Sequence, residues 1–394
     1  MANNKYLNLY ASNHGKLDGI EDYISLITKL MSDRGLPVKV SSTLDPSAIN
    51  LIIDEFTNYV ENHRIAAFKE ANPDSRIVIV LTEFIVRKWG VESFNHFGDV
   101  FDAAAIALFD VYLRVIRDDF DRVNSGQLLR LLCFSPLLIL QALLYTVRFM
   151  LGHLVGRSTS NPIARYLRAH HRIIYFHMRY LGLKTCLRYA NAVVTSHEKI
   201  IDEFSSNTGF DGKPLQYLGV LYPEIDEGDV LSGLMVGKKL FIEITGSVTR
   251  YRQKWIQRLN HRLVSLGLHN VFGYCVEFPF SLLKSSKYKE RGAYSLHPPQ
   301  NRSWPYCSPT RIFRALSVDH NLPILTHHFH QNPIEDVCFV LESDKSIVHL
   351  YEMYSDPVLL RQFIEPRIKT YNRIVTIRNN DLAKKMLGMM NKVM

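Results

Sequence analysis

The segment Tyr306-Cys307-Ser308-Pro309-Thr310-Arg311-Ile312-Phe313-Arg314-Ala315-Leu316 concentrates groups suited to holding an anion. Ser308 is a favourable helix N-cap and Pro309 suits the first helical position, which puts Thr310 and Arg311 in the first turn. An arginine there opposes the helix dipole unless an anion lies between them, and a phosphate would resolve that conflict. On the residues alone, a capped helix with a solvated arginine fits equally well. A second segment, Thr245-Gly246-Ser247-Val248-Thr249-Arg250-Tyr251-Arg252, has the same flavour. Gly246 permits a close backbone approach, Ser247 or Thr249 can cap, and Arg250 and Arg252 follow. Such a strand, glycine and helix sequence can bind a diphosphate through backbone N–H groups and a guanidinium fork. It is neither Gly-x-Gly-x-x-Gly nor a P-loop, and a tight connection with two exposed arginines is the plainer account of it.

The run Thr326-His327-His328-Phe329-His330 invites a metal reading. Three histidines this close in a loop lack the geometry of one tetrahedral site, and no Cys or carboxylate at suitable spacing joins them, so no metal is expected. His328 or His330, directly after a strand, is better suited to touching a ligand. The five cysteines, Cys133, Cys186, Cys275, Cys307 and Cys338, are widely spread with no Cys-x-x-Cys spacing. That excludes a disulfide framework and fits a reducing compartment.

These groups need a scaffold, and the apolar spacing supplies one. Residues 5–11 read as a buried strand, followed by a helix whose apolar positions Ile20, Tyr23, Ile24, Ile27, Leu30 and Met31 have helical spacing. Strands over 38–41, 50–54 and 76–82 follow, with a helix over 60–71 before the last, and short turns between them imply a parallel sheet. After about residue 94 long helical stretches run to about 188, and the strand pattern resumes at 192–195 and 216–222. Residues 223–230, acidic and containing Gly and Pro, are the expected linker. A second alternating series then has strands at 239–245, 271–276, 293–296 and 322–326, with helices over 250–266, 280–287 and 308–318. The expected fold is α/β, two doubly wound Rossmann-like domains facing a cleft, with ligands at the carboxyl ends of the strands. The domains are residues 1–225, with a helical insertion at about 95–190, and 226–356, followed by a basic helical segment at 357–394.

The chain has 394 residues and a net charge of +9, with the charge concentrated in one place. From Arg122 to His197 there is no Asp or Glu, while Arg122, Arg130, Arg148, Arg157, Arg165, Arg168, Arg172, Arg179, Lys184 and Arg188 are basic. The rest is close to neutral, which points to one anionic surface as partner and not to a protein that coats nucleic acid; no nucleic-acid module is present. Residues 131–147 are uncharged and apolar but are interrupted by Pro136 and Gln141, too short and broken for a full membrane span. Next to the arginine-rich stretch they read as a monotopic interfacial patch, the alternative being a buried helical hairpin. Residues 1–8 carry no basic region followed by an apolar run, so no signal peptide is expected. The expected location is cytoplasmic, peripheral at the cytoplasmic membrane face.

The second half, roughly 238–326, resembles the donor-binding domain of GT-B glycosyltransferases, especially bacterial enzymes related to glycosyl-transferase group one. The resemblance implies a transferase moving a sugar from a nucleotide-activated donor to a glycan or lipid-linked acceptor, as in cell-surface polysaccharide synthesis, without a cofactor or metal. It implies that Gly246, Ser247, Arg250, Arg252, Ser308, Pro309, Thr310, Arg311 and Arg314 bind the donor. The rival is a non-catalytic member of the same fold that binds a nucleotide sugar or assembles with an enzyme. Many members carry two glutamates around the late helix, the second before Ala-Leu or Ala-Met; here Arg314 precedes Ala315-Leu316. The first half would supply the acceptor side and any general base. His14, Asp54-Glu55, Glu83 and His197-Glu198 lie at expected strand ends, and His14 and Glu83 are the catalytic candidates for an inverting transfer. A retaining transfer needs no such base.

Overall fold

The computed structural model describes residues 6–11, 18–53, 59–82, 183, 186–198, 200, 216–234, 239–245, 250–268, 273–277, 292–299, 306–329 and 333–391. The two doubly wound parallel sheets that the GT-B resemblance implies are present. In the first, β1 (Leu7–Tyr10), β2 (Val38–Ser41), β3 (Ile49–Ile53), β4 (Arg76–Leu81), β5 (Ala192–Thr195) and β6 (Gln216–Val220) are ordered β2-β1-β3-β4-β5-β6. Helix α1 (Asp18–Ser32) connects β1 to β2, and α2 (Tyr59–Ala71) connects β3 to β4. Every described pairing is parallel, Leu9 lying opposite Leu51 and Ile79 opposite Val193.

A parallel sheet covered on both faces needs strands that are apolar on both sides. Strand β3 is buried at every residue, and its alternate side chains enter different cores. Leu51 and Ile53, with Val78 and Val80, pack beneath Ile24, Ile27 and Met31 of α1. Ile52, with Ile77, Ile79 and Leu81, packs on the other face with Ile65 of α2 and with Leu183, Cys186 and Leu187. The last of these belong to the end of the acid-free segment, so that end is embedded in the first core. The apolar run 131–147 and the rest of the helical insertion lie outside the described residues.

The second sheet contains β7 (Lys239–Thr245), β8 (Gly273–Glu277), β9 (Gly292–His297), β10 (Leu322–Leu325) and β11 (Phe339–Val340), ordered β11-β10-β9-β7-β8. Between the sheets stands the short helix α3 (Glu227–Gly233); α4 (Arg250–Ser265) follows β7, and α5 (Pro309–Ser317) precedes β10. A 3-10 turn, Ile334–Val337, leads into β11, and α6 (Asp344–Ser355) and α7 (Pro357–Asn391) close the chain. Strand order reverses at β1/β3 in the first sheet and at β7/β9 in the second. Each reversal opens a crevice beyond the carboxyl ends of the two strands.

Helix α7 belongs to both halves. Leu360, Ile364, Ile368, Tyr371 and Val375 pack in the second core, and Leu382, Ala383, Met386, Met389 and Met390 pack in the first. These positions form one stripe at helical spacing, with buried Asn379 where the stripe passes from one core to the other. Opposite it runs the extended chain after β6. Asn379 Nδ2 donates to the Tyr222 carbonyl at 3.0 Å, and the Tyr371 hydroxyl donates to the Pro223 carbonyl at 2.7 Å. The Asn372 amide donates to the Ile225 carbonyl at 2.6 Å and accepts from its N–H at 3.0 Å. Replacing Tyr371 by Phe strands a buried carbonyl with little change in volume. It is expected to cost about 1–3 kcal/mol, read as a lower urea midpoint; an unchanged midpoint would show that the seam contributes nothing to stability.

Candidate functional site

The crevice of the second sheet is built by three elements. Strand β7 ends at Thr245, α4 opens at Arg250, and residues 246–249 join them. Strand β9 ends at His297, and the chain returns through Tyr306 and Cys307 to the start of α5. Ser308 occupies the N-cap position with extended backbone (φ −77°, ψ 121°) and Pro309 is the first helical residue. The serine makes no side-chain cap bond; its Oγ lies 2.8 Å from the Thr310 hydroxyl. Ile312, Ala315 and Leu316 are buried, so one face of α5 is held against the core while Arg311 remains half-buried.

Arg252 is 2% exposed, one of the largest fully buried side chains. Burial first, and then the charge of Arg311, push its guanidinium down to about 9, which leaves it cationic at neutral pH. His297, at the end of β9, is 5% exposed. Its imidazole is pushed down to about 3 by burial and then by Arg311 and Arg252. Cys307 Sγ donates to the His297 carbonyl at 3.5 Å, and burial raises its thiol while Arg311 and Arg252 oppose the rise. Two guanidiniums, an imidazole and a helix N-terminus therefore share one corner at a topological switch point, an arrangement that attracts a multiply charged anion.

Of the donor residues expected from sequence, the structure brings together Arg252, Ser308, Pro309, Thr310 and Arg311. Gly246 and Ser247 lie outside the described residues, and of Arg250 only the backbone, opening α4, is described. Arg314 is 2% exposed, and its Nε is 3.1 Å from Asp319 Oδ2 in a buried ion pair beyond the end of α5. That pairing holds the far end of the helix, away from Arg311 in its first turn. His297 was missed by sequence reasoning. The expected strand stopped at Leu296, and one residue more would have put a histidine at the crevice.

The histidine run is divided. His328 is held between two carboxylates, Nδ1 on Glu335 and Nε2 on Glu342, and is raised by Glu335 first. His327 stacks on Trp255 with ring centroids 4.8 Å apart and is lowered by burial. His330 lies outside the described residues. Among the described residues no group of three or more His, Cys, Asp or Glu is arranged to hold a metal ion.

In the first half, His14 and Glu83 lie outside the described residues, as do Asp54 and Glu55. The nearby strand ends are tightly tied: Ser196 donates from N to the Leu81 carbonyl at 2.9 Å and from Oγ to the Thr82 carbonyl at 3.0 Å. The next residue, His197, meets Tyr306 with ring centroids 4.4 Å apart. The carboxyl end of β5 is thereby brought against the chain entering α5, while Glu198 pairs with Arg378 of α7 at 2.7 Å. Among the described residues no helix is long and apolar enough to cross a membrane.

No protein-family model matches the chain, and no curated protein matches it. Solved structures similar to it include an α,α-trehalose-phosphate synthase (UDP-forming) from Burkholderia vietnamiensis, 8% identical over 97% of this chain and 80% of that one, with a TM-score of 0.42. The lipopolysaccharide outer core galactosyltransferase WaaB in its apo form is 8% identical over 96% and 98% of the two chains, with a TM-score of 0.38. The pneumococcal O-GlcNAc transferase GtfA in complex with UDP and GlcNAc is 7% identical over 93% of this chain and 59% of that one, with a TM-score of 0.36. The chemistry assigned to the crevice rests on its own residues and on the sheet order.

The neutral state of His297 has a consequence for stability. An unfolded histidine takes a proton near pH 6.5, whereas this one, held near pH 3, does not, so the unfolded state binds more protons in between and stability falls as pH falls through that window. Asn at 297 does not titrate. Between about pH 7 and pH 4 the wild type should therefore lose about 2–4 kcal/mol relative to His297→Asn, read from urea midpoints. Parallel pH curves for the two proteins would show that His297 titrates normally.

Proposed function

We propose that the protein is a glycosyltransferase that moves a sugar from a nucleotide-activated donor to a glycan or lipid-linked acceptor. The observation that carries the reading is the buried cationic corner at the β7/β9 switch point. Arg252 is desolvated there and feels the charge of Arg311 at the start of α5, and two guanidiniums beside a helix start favour an anionic ligand. The donor diphosphate lies across the first turn of α5, against Arg311 and Arg252, and Gly246, Ser247 and Arg250 are its further proposed ligands. The acceptor enters from the first sheet, where His14 after β1 and Glu83 after β4 are the groups proposed to take its hydroxyl proton. The acid-free segment and its apolar run dock the protein on an anionic membrane, which suits a lipid-linked acceptor.

A second reading has its own support. Where the resembled family has its second glutamate, this chain has Arg314, engaged with Asp319. A chain that binds a nucleotide sugar without turning it over fits that replacement, and turnover separates the two readings.

A thermal-shift screen of UDP, GDP, CMP and their sugars should yield at least one stabilising ligand. Against that ligand, Arg311→Ala and Arg250→Ala should each weaken binding about 10- to 100-fold, since each removes a charge-assisted contact. Unchanged affinity in both, with melting temperature intact, would make the diphosphate assignment wrong.

Glu83→Gln or His14→Ala should lower kcat by about 10²–10⁴-fold with little effect on donor affinity. Full activity in both variants would remove these residues as the base and leave a retaining transfer. A wild type that binds the nucleotide sugar but transfers nothing to any glycan or lipid acceptor would favour the non-catalytic reading.

A further inference from the structure

The cationic corner contains one group whose charge is not fixed. Arg252 reaches it from α4 and Arg311 from α5, and both remain cationic at neutral pH. His297 is the last residue of β9, buried, and its Nε2 has no hydrogen-bond partner among the described residues. Its carbonyl accepts from Cys307 Sγ, which fixes the strand end against the chain entering α5. A buried imidazole nitrogen left without a partner is uncommon and costly, and the two arginines that act on this imidazole make an anion the ligand chemistry that would complete the corner.

We propose that His297 is a third ligand of the donor diphosphate, one that takes up a proton as the anion enters and donates it in a hydrogen bond from Nε2. The inference rests on the donor site proposed above and adds to it a dependence on pH. The groups facing His297 are Arg252 and Arg311, and Glu335 of the 3-10 turn bears on neighbouring Cys307. While the corner is empty, burial first and then the two cations hold the imidazole neutral. A diphosphate diester brings two negative charges; within about 5 Å these reverse the local field and favour the imidazolium by several pH units. The proton comes from solvent, no bond in the donor is altered, and the added N–H⁺ turns a two-arginine site into one with three cationic donors.

By linkage, a group that is protonated only in the complex makes binding tighter as pH falls. The expected result with the nucleoside diphosphate sugar selected by the screen is uptake of about 0.5–1 proton per molecule bound near pH 6.5, with affinity rising about tenfold from pH 8 to pH 6. Titration calorimetry in two buffers of different ionisation enthalpy measures the uptake. Such sugars do not titrate in that range, so the proton belongs to the protein. His297→Asn should abolish the uptake and flatten the pH profile, which a merely structural histidine would not do. Zero uptake by wild type that binds the donor overturns the inference and spares the donor site. Uptake that persists in His297→Asn overturns it too, by assigning the proton to another group. If no nucleotide sugar binds wild type, both readings fall. Should His297→Asn fail to fold, His297→Gln, which likewise does not titrate, takes its place in the same two-buffer comparison.

Discussion

The relation between the two sheets depends on a polar seam set into an apolar helix. Chain leaving β6 must run extended before the second half begins, and an extended chain inside a protein has backbone groups that no sheet satisfies. Tyr371, Asn372 and Asn379 of α7 satisfy them at Tyr222, Pro223 and Ile225. Because the same helix packs its early residues in one core and its late residues in the other, these bonds fix where each sheet stands along it. Arg34 adds a contact from the first half, bonded to Glu224 and, at 2.8 Å, to Asn380 of α7.

Charge is handled in two opposite ways around α5. At its far end Arg314 and Asp319 are both buried and both paired, so the desolvation of each is offset by the other. At its near end Arg252 is as deeply buried as Arg314, yet the charge next to it is another guanidinium. Buried charges whose ionisation is shifted by their surroundings gather at functional sites more often than elsewhere.

Much of this was legible in the sequence. The strands of both sheets are short, mostly apolar runs, and Ile49–Ile53, which pairs on both sides, was readable from its unbroken Leu51-Ile52-Ile53 run even though buried Asn50 interrupts the apolar pattern. Strand β11, two residues long, is too short to show a period, and α6 was missed although its buried Ile347, Leu350 and Met353 lie at helical spacing. The C-terminal helix was expected, but not its double allegiance, because a stripe of apolar residues does not say which core it enters. Arg252 and Arg311 were legible as candidate anion ligands from their place after a strand and inside a helix start. His297 was not, because strand ends are the least certain feature of a pattern. The pairing of Arg314 with Asp319 is a tertiary fact, and nothing in Arg314-Ala315-Leu316 announces it.

Burial decides what such a corner can do. An arginine on an open surface acts through a Debye length of about 8 Å in physiological salt and attracts any anion weakly. Within low-dielectric surroundings the same charge acts more strongly and over a fixed geometry, so it discriminates by shape and by the number of negative charges presented. Arg252 has no freedom to follow a ligand, since the packing that desolvates it also immobilises it. Selectivity must then come from the ligand fitting the corner, with α5 aligned by its buried face and β9 ending where His297 points the chain toward Cys307. The His197–Tyr306 contact completes the reasoning from the other side. It ties the entrance of α5 to the end of β5, so any movement of the first sheet relative to the start of α5 must part these two rings, and the first half of the molecule bears directly on the chain entering that helix.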